Sequence, residues 1–153
     1  MFRSGAFVAD HVSPLDDEQI QPNGVDLTVD TVAIVDGTGK IAVDGKSIAE
    51  REHVKPVDGW FELSPGSYIV RYGERVAIPE DHVGFILPRS SLLRNGSTLH
   101  TAVWDTGYEG RGAGLLTVGA PLHVETGARI GQFVLAGAEH AGAYEGTYHG
   151  EGL

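Results

Sequence analysis

Two neighbouring segments carry most of the groups in this chain that could do chemistry. Pro88-Arg89-Ser90-Ser91-Leu92-Leu93-Arg94-Asn95-Gly96 sets two guanidiniums and two hydroxyls side by side, and Asp105-Thr106-Gly107-Tyr108-Glu109-Gly110 follows with a carboxylate and an aromatic ring. Arginine and serine side chains bind phosphate oxygens, a carboxylate can orient water, and a ring can stack on a sugar or base. If the chain turns helically at Ser90, backbone donors and the hydroxyls of Ser90 and Ser91 surround an anion while Arg89 and Arg94 add charge. A surface turn with two solvated arginines satisfies the same spacing. Asp105 can equally be a turn aspartate bonded to its own backbone, and Tyr108 a ring covering the edge of the core.

The elements that must position these groups read mostly as strands. Ser13 to Ile20 has the signals of a short helix, with Ser13 as cap, Pro14 in the first turn and acids at the positive end, and Pro22 stops it. Beyond it, strands are expected at 25–29, 31–35, 40–43, 60–63, 67–71, 74–78, 83–87, 98–104, 114–118, 122–124 and 129–135. Turn-rich separators such as Ser64-Pro65-Gly66 and Gly119-Ala120-Pro121 divide them. Ser90 to Arg94 fits one helical turn, left through Asn95-Gly96 in a left-handed cap. Many short strands at close spacing predict an all-β sandwich or barrel with one or two short helices. Residues 1–153 read as one domain, and about 137–153 as a glycine-rich, mobile tail bearing Tyr144 and Tyr148.

Composition removes several classes of function. A net charge of −10, with lysine only at 40, 46 and 55, disfavours binding to nucleic acid or an anionic membrane surface. The same acidic, lysine-poor balance suits a surface adapted to high salt. There are no cysteines, so disulfides and thiolate metal sites are absent. The seven histidines form no His-x-His or His-x-x-x-His pair, and neither a Gly-x-x-x-x-Gly-Lys phosphate loop nor a Gly-x-Ser-x-Gly elbow occurs. No apolar run reaches the roughly 18 residues of a membrane span, and Met1-Phe2-Arg3-Ser4-Gly5 does not open a secretion signal, so a cytoplasmic protein is expected.

Five segments, in order, resemble the superfamily of trimeric dUTP diphosphatases (dUTPases) and dCTP deaminases, over about 130 residues. They are Gln21-Pro22-Asn23-Gly24-Val25-Asp26-Leu27, Pro88 to Leu92 with its extension to Arg94, Val103 to Gly110, Gly127-Ala128-Arg129-Ile130-Gly131-Gln132-Phe133, and Tyr144 to Gly150. The second and fifth are closer to the deaminase branch, and the whole is similar to archaeal deaminase-like dUTPases. The resemblance implies a distorted jelly roll or β-barrel of the β-clip type, assembled as a homotrimer with active sites between subunits. It also implies Mg²⁺ held through substrate phosphates and water, with no fixed protein ligands.

In the deaminases of this superfamily, a glutamate ten residues beyond the third-motif aspartate shuttles the proton for ammonia loss. Here that position is Leu115, and Arg111 to Val118 contains no acid. The resemblance therefore implies dUTP diphosphatase activity, with dUMP and pyrophosphate as products. In it Asp105 orients water toward the α-phosphorus and Tyr108 packs under deoxyribose, excluding a 2′-hydroxyl. Arg89, Ser90, Ser91 and Arg94 bind the triphosphate with Gln132 of a neighbouring subunit, backbone groups between His100 and Trp104 read uracil, and Tyr144 or Tyr148 closes over the site. A dCTP deaminase, a bifunctional deaminase–diphosphatase, or a non-catalytic nucleotide-binding trimer are the alternatives. Nothing after Arg129 is basic except histidine, whereas related tails carry lysine or arginine.

Overall fold

The computed structural model describes residues 1–153. Helix α1 (Gly5–Ala9) begins at Ser4, whose hydroxyl accepts from the amide of Phe7. It leads through β1 (Val12–Ser13), a 3₁₀ turn (Asp17–Gln19) and β2 (Ile20–Gln21) into the long β3 (Gly24–Asp36). A polar arm follows, built from β4 (Lys40–Ala42), β5 (Gly45–Ser47) and β6 (Glu50–His53). The remaining elements are β7 (Trp60–Leu63), β8 (Gly66–Tyr72), β9 (Arg75–Ala77), β10 (His82–Pro88), α2 (Ser90–Arg94), β11 (Ser97–His100), β12 (Glu109–Gly110), β13 (Ala113–Val118), β14 (Leu122–Glu125) and β15 (Arg129–Gly137). No helix is long and apolar enough to cross a membrane.

One curled sheet organises the molecule, in the order β10-β15-β3-β8-β13-β11. β3 serves both halves: Asp26 faces Gln132 of β15, whereas Val32 faces Val70 of β8, and a register shift between Val29 and Thr31 bends the strand from one set to the other. The two ends of the sheet meet where Gly84 of β10 and Trp104 exchange backbone hydrogen bonds of 2.8 and 3.1 Å. The result is a nearly closed barrel of the jelly-roll type. Alternation decides what fills it. Tyr68, Val70 and Tyr72 on β8 and Leu116 and Val118 on β13 point inward, joining Val25, Leu27, Val32 and Phe133 in one apolar core. Each such side chain contributes about 1.5–3 kcal/mol by leaving water.

Several elements differ from what the sequence suggests. The stretch from Ser13 is a 3₁₀ turn and not a helix: Asp16, not Ser13, forms the capping box with Gln19. Gln19 is then drawn inward, donating to the backbone carbonyl of Asp26 at 2.8 Å and to buried Glu74 at 2.7 Å. Glu74 also accepts from the amide and hydroxyl of Thr28 at 2.9 and 2.8 Å, so a buried carboxylate ties three segments together. The strand expected over 98–104 stops at His100, because Trp104 turns to the opposite sheet end. β5 and β6 had no readable pattern. All of their residues are exposed, so backbone pairing alone defines them.

Candidate active site

Asp105 stands in the loop between β11 and β12, and three local features hold it there. Trp104, only 7% exposed, is the anchor. Its ring lies against Gly112, where a Cβ would fall 2.3 Å from the indole and where φ is +58°, so this position needs glycine twice over. On the other side, the amide of Tyr108 donates to the carbonyl of Asp105 at 3.1 Å, closing a turn whose third residue, Gly107, has φ of +80°. Thr106 locks that turn by donating its hydroxyl to the carbonyl of Pro79 at 2.9 Å.

With its neighbours held, Asp105 is itself exposed, and its carboxylate makes no hydrogen bond or ion pair to protein. It lines a cavity of about 310 Å³ with Trp104, Tyr108, Tyr144, Tyr148, Glu151 and Arg51. Ala102 and Val103 form another part of the wall, exposed and outside any strand, with their backbone groups unpaired within the protein. Tyr108 is buried, with ring contacts to Trp104 at 5.0 Å and Tyr144 at 5.4 Å, both edge to face. Its hydroxyl has no partner, and burial first, then Glu151 and Tyr144, push its ionisation above the usual tyrosine range.

The C-terminal segment runs along the same turn. The amide of Tyr144 donates to Thr106 at 2.7 Å, that of Gly150 to Glu109 at 2.7 Å, and that of Arg111 to Glu151 at 2.8 Å. Lys46 from the polar arm stands 4.9 Å over the ring of Tyr148. Arm, tail and the Asp105 turn thus share one mouth.

A second cluster forms elsewhere. Arg89 is the N-cap residue of α2, which spans Ser90–Arg94 as expected. Its Nε lies 3.1 Å from Asp26, and Arg129 approaches the same carboxylate oxygen at 3.6 Å. Asp26 is 2% exposed, and burial lifts its carboxyl above the ordinary value even though both guanidiniums pull it down. Arg94 donates to the hydroxyl of Ser90 at 3.1 Å, while Ser91 is exposed with its hydroxyl unengaged. Gln132 sits between Asp26 and Leu87 in the sheet register.

The nine expected site residues therefore fall into two groups. Asp105, Tyr108, Tyr144 and Tyr148 share one cavity, and none of Arg89, Ser90, Ser91, Arg94 or Gln132 lines it. Leu115 is on the outer face of β13, in an adjoining cavity with His100 and Arg51. Asp26 and Arg51 escaped sequence reading as site residues. Asp26 lies between the apolar Val25 and Leu27 and was a usable signal; an arginine in the polar arm offered none.

Residues 3–138 match the family model described as dCTP deaminase-like. A protein of Halobacterium salinarum named "Probable deoxyuridine 5'-triphosphate nucleotidohydrolase" is 51% identical over 157 residues, covering 99% of this chain and 95% of that one. One of the same name from Aeropyrum pernix is 45% identical over 138 residues, covering 88% and 87%. Among solved structures, the 2'-deoxycytidine 5'-triphosphate deaminase from Agrobacterium tumefaciens superposes with a TM-score of 0.64 at 21% identity. That match covers 88% of this chain and 47% of the deaminase, so the chain spans about half the length of that protein. The chain belongs to the dCTP deaminase-like family, on the jelly-roll fold that its strands define.

Proposed function

We propose that this chain is a dUTP diphosphatase that hydrolyses dUTP to dUMP and pyrophosphate, with Asp105 orienting the attacking water. The observation that carries the reading is the free, exposed Asp105 carboxylate on the wall of the cavity that Tyr108 and the unpaired backbone of Ala102 and Val103 also line. The names of the archaeal relatives support the same substrate. Leu115 argues against deamination, since a leucine cannot carry a proton to or from a leaving amine.

In this mechanism Asp105 accepts a hydrogen bond from water and takes its proton as the oxygen bonds to the α-phosphorus. The bond from that phosphorus to the bridging oxygen breaks, and pyrophosphate leaves with the electron pair. Deoxyribose packs at Tyr108, uracil pairs with the backbone of Ala102 and Val103, and Tyr144 and Tyr148 cover the nucleotide. Arg89, Ser90, Ser91, Arg94 and Gln132 bind the triphosphate. Because they lie outside the Asp105 cavity, a neighbouring copy supplies them, as in a homotrimer. No group of three histidine, aspartate or glutamate side chains stands together as a metal site. Mg²⁺ would then be carried on the triphosphate, held by its phosphate oxygens and water, and would neutralise phosphate charge there.

Incubating the protein separately with dUTP and dCTP, in the presence of Mg²⁺, tests the reading. Release of dUMP and pyrophosphate from dUTP, without ammonia from dCTP, is the expected result. Ammonia from dCTP, or dUTP that binds and stays intact, overturns it.

A further inference from the structure

Arg51 has no place in the chemistry described so far, yet it occupies a position that chemistry would use. It lies on β6, in the polar arm, and is exposed. Its guanidinium makes no hydrogen bond or ion pair, unlike Arg71, Arg75, Arg89 and Arg129, each of which faces a carboxylate. With Ala102 and Ala113 it lines both the Asp105 cavity and the adjoining cavity of about 400 Å³ that contains Leu115. Arg51 is therefore at the junction of the two, and it is the one permanently charged cation on either wall.

A pyrimidine deoxynucleotide laid into this trough has its sugar at Tyr108 and its base along Ala102 toward Ala113 and Leu115. The far edge of the base then reaches the junction. Around that edge Ala102, Ala113, Leu115 and Ile69 offer neither a donor nor an acceptor, and the Thr101 hydroxyl is already committed to the carbonyl of Ile86 at 3.1 Å; His100 is polar but lines only the second cavity, whereas Arg51 lines both. Arg51 offers only donors. Uracil presents a carbonyl oxygen at C4, an acceptor, whereas cytosine presents an amino group, a donor. A guanidinium facing that edge completes a charge-assisted hydrogen bond to uracil and leaves two donors opposed with cytosine.

We propose that Arg51 is a specificity residue that donates to the C4 oxygen of the base and thereby selects dUTP over dCTP. The proposal rests on the reading of the chain as a dUTP diphosphatase. It adds a side-chain reader to the backbone contacts at Ala102 and Val103, supplied by the polar arm and not by the barrel. It also gives that arm a role: β3 carries β6 at its distal half, so the arm delivers a cation to a cavity whose other ionisable groups include Asp105 and Glu151.

The test compares kcat/KM for pyrophosphate release from dUTP and from dCTP in the wild type, Arg51→Met and Arg51→Lys, with Mg²⁺. Arg51→Met should lower the dUTP-to-dCTP ratio by roughly 10- to 100-fold, mostly through loss on dUTP, and Arg51→Lys should recover part of it. Melting temperatures should match the wild type, because the side chain is exposed and unpartnered. Equal losses on both nucleotides would mean that Arg51 meets phosphate charge, and would overturn the proposal. An unchanged or increased ratio overturns it too. If the wild type cleaves neither nucleotide, the diphosphatase reading fails on its own. Affinities of the same three proteins for dUMP and dCMP, by calorimetry, then test Arg51 without turnover: a uracil preference lost in Arg51→Met sustains the proposal, and its persistence or its absence from the wild type refutes it.

Discussion

Two aspartates in this chain stand in opposite surroundings. Asp26 is 2% exposed and clamped between Arg89 and Arg129, whereas Asp105 is exposed and unengaged. A carboxylate that is already paired has little left for water, so of the two Asp105 is the one the proposed mechanism can use, while Asp26 is held by the arginines. Asp105→Asn keeps the size and polarity of the side chain but cannot take a proton. It should leave nucleotide binding within about threefold while turnover falls at least roughly 100-fold, measured by calorimetry and pyrophosphate release. Unchanged turnover would remove Asp105 from its role. Asp105 and Tyr108 stood out in the sequence as a carboxylate and a ring within one glycine turn, but their types alone fit an ordinary turn as well, and the resemblance to the dUTPase and dCTP deaminase superfamily was what marked them as candidates. The partner of Arg89 was not legible, since 63 positions separate Asp26 from Arg89 and only the pairing of β15 with both β3 and β10 closes the gap.

At the scale of elements, the site depends on how loops are pinned to strands. The loop carrying Asp105 rests on the packing of Trp104 against Gly112, a residue whose backbone is left-handed. Gly112→Ala adds a methyl group that collides with the indole and strains the backbone, and should cost at least about 2 kcal/mol. Thermal unfolding should show that loss, with a fall in kcat/KM as the Asp105 turn shifts. On the opposite flank, α1 packs His11 beside Phe7, with ring centroids 5.1 Å apart. Burial first pushes the His11 imidazole below its ordinary value of 6.5; His82 pushes the same way, and Asp10 opposes them. The fold therefore favours the neutral ring. The associated stability is present above the unfolded value and is lost as pH falls through the depressed folded value. Between about pH 7 and pH 5, the melting temperature of the wild type should drop more steeply than that of His11→Gln. Parallel curves for the two proteins would refute this. Most barrel strands were legible because inward and outward residues alternate. β5 and β6 of the polar arm were not, because nothing in them is buried.

Across the whole molecule, the separation of Arg89, Ser90, Ser91, Arg94 and Gln132 from the Asp105 cavity is the feature with the largest consequence. If each active site takes its carboxylate from one copy and its phosphate grip from the next, two inactive variants complement each other. Mixed trimers formed from equal amounts of Asp105→Asn and Arg94→Ala should regain roughly one quarter of wild-type activity, the share of sites with both native halves. No recovery after subunit exchange, verified by native mass spectrometry, would place each complete site within one chain. The all-β class, the helical turn at Ser90–Arg94 and the glycine turn after Asp105 follow from local patterns, because alternation, capping residues and glycine turns act over a few positions. Long-range pairing sets the rest: Asp26 holds Arg89, Arg51 from the polar arm reaches the Asp105 cavity, and the two groups of candidate residues stand apart. Those relations arise when a bent β3 pairs with β15 at one end and with β8 and β6 at the other, so they come from strand pairing across long stretches of chain and not from any local pattern.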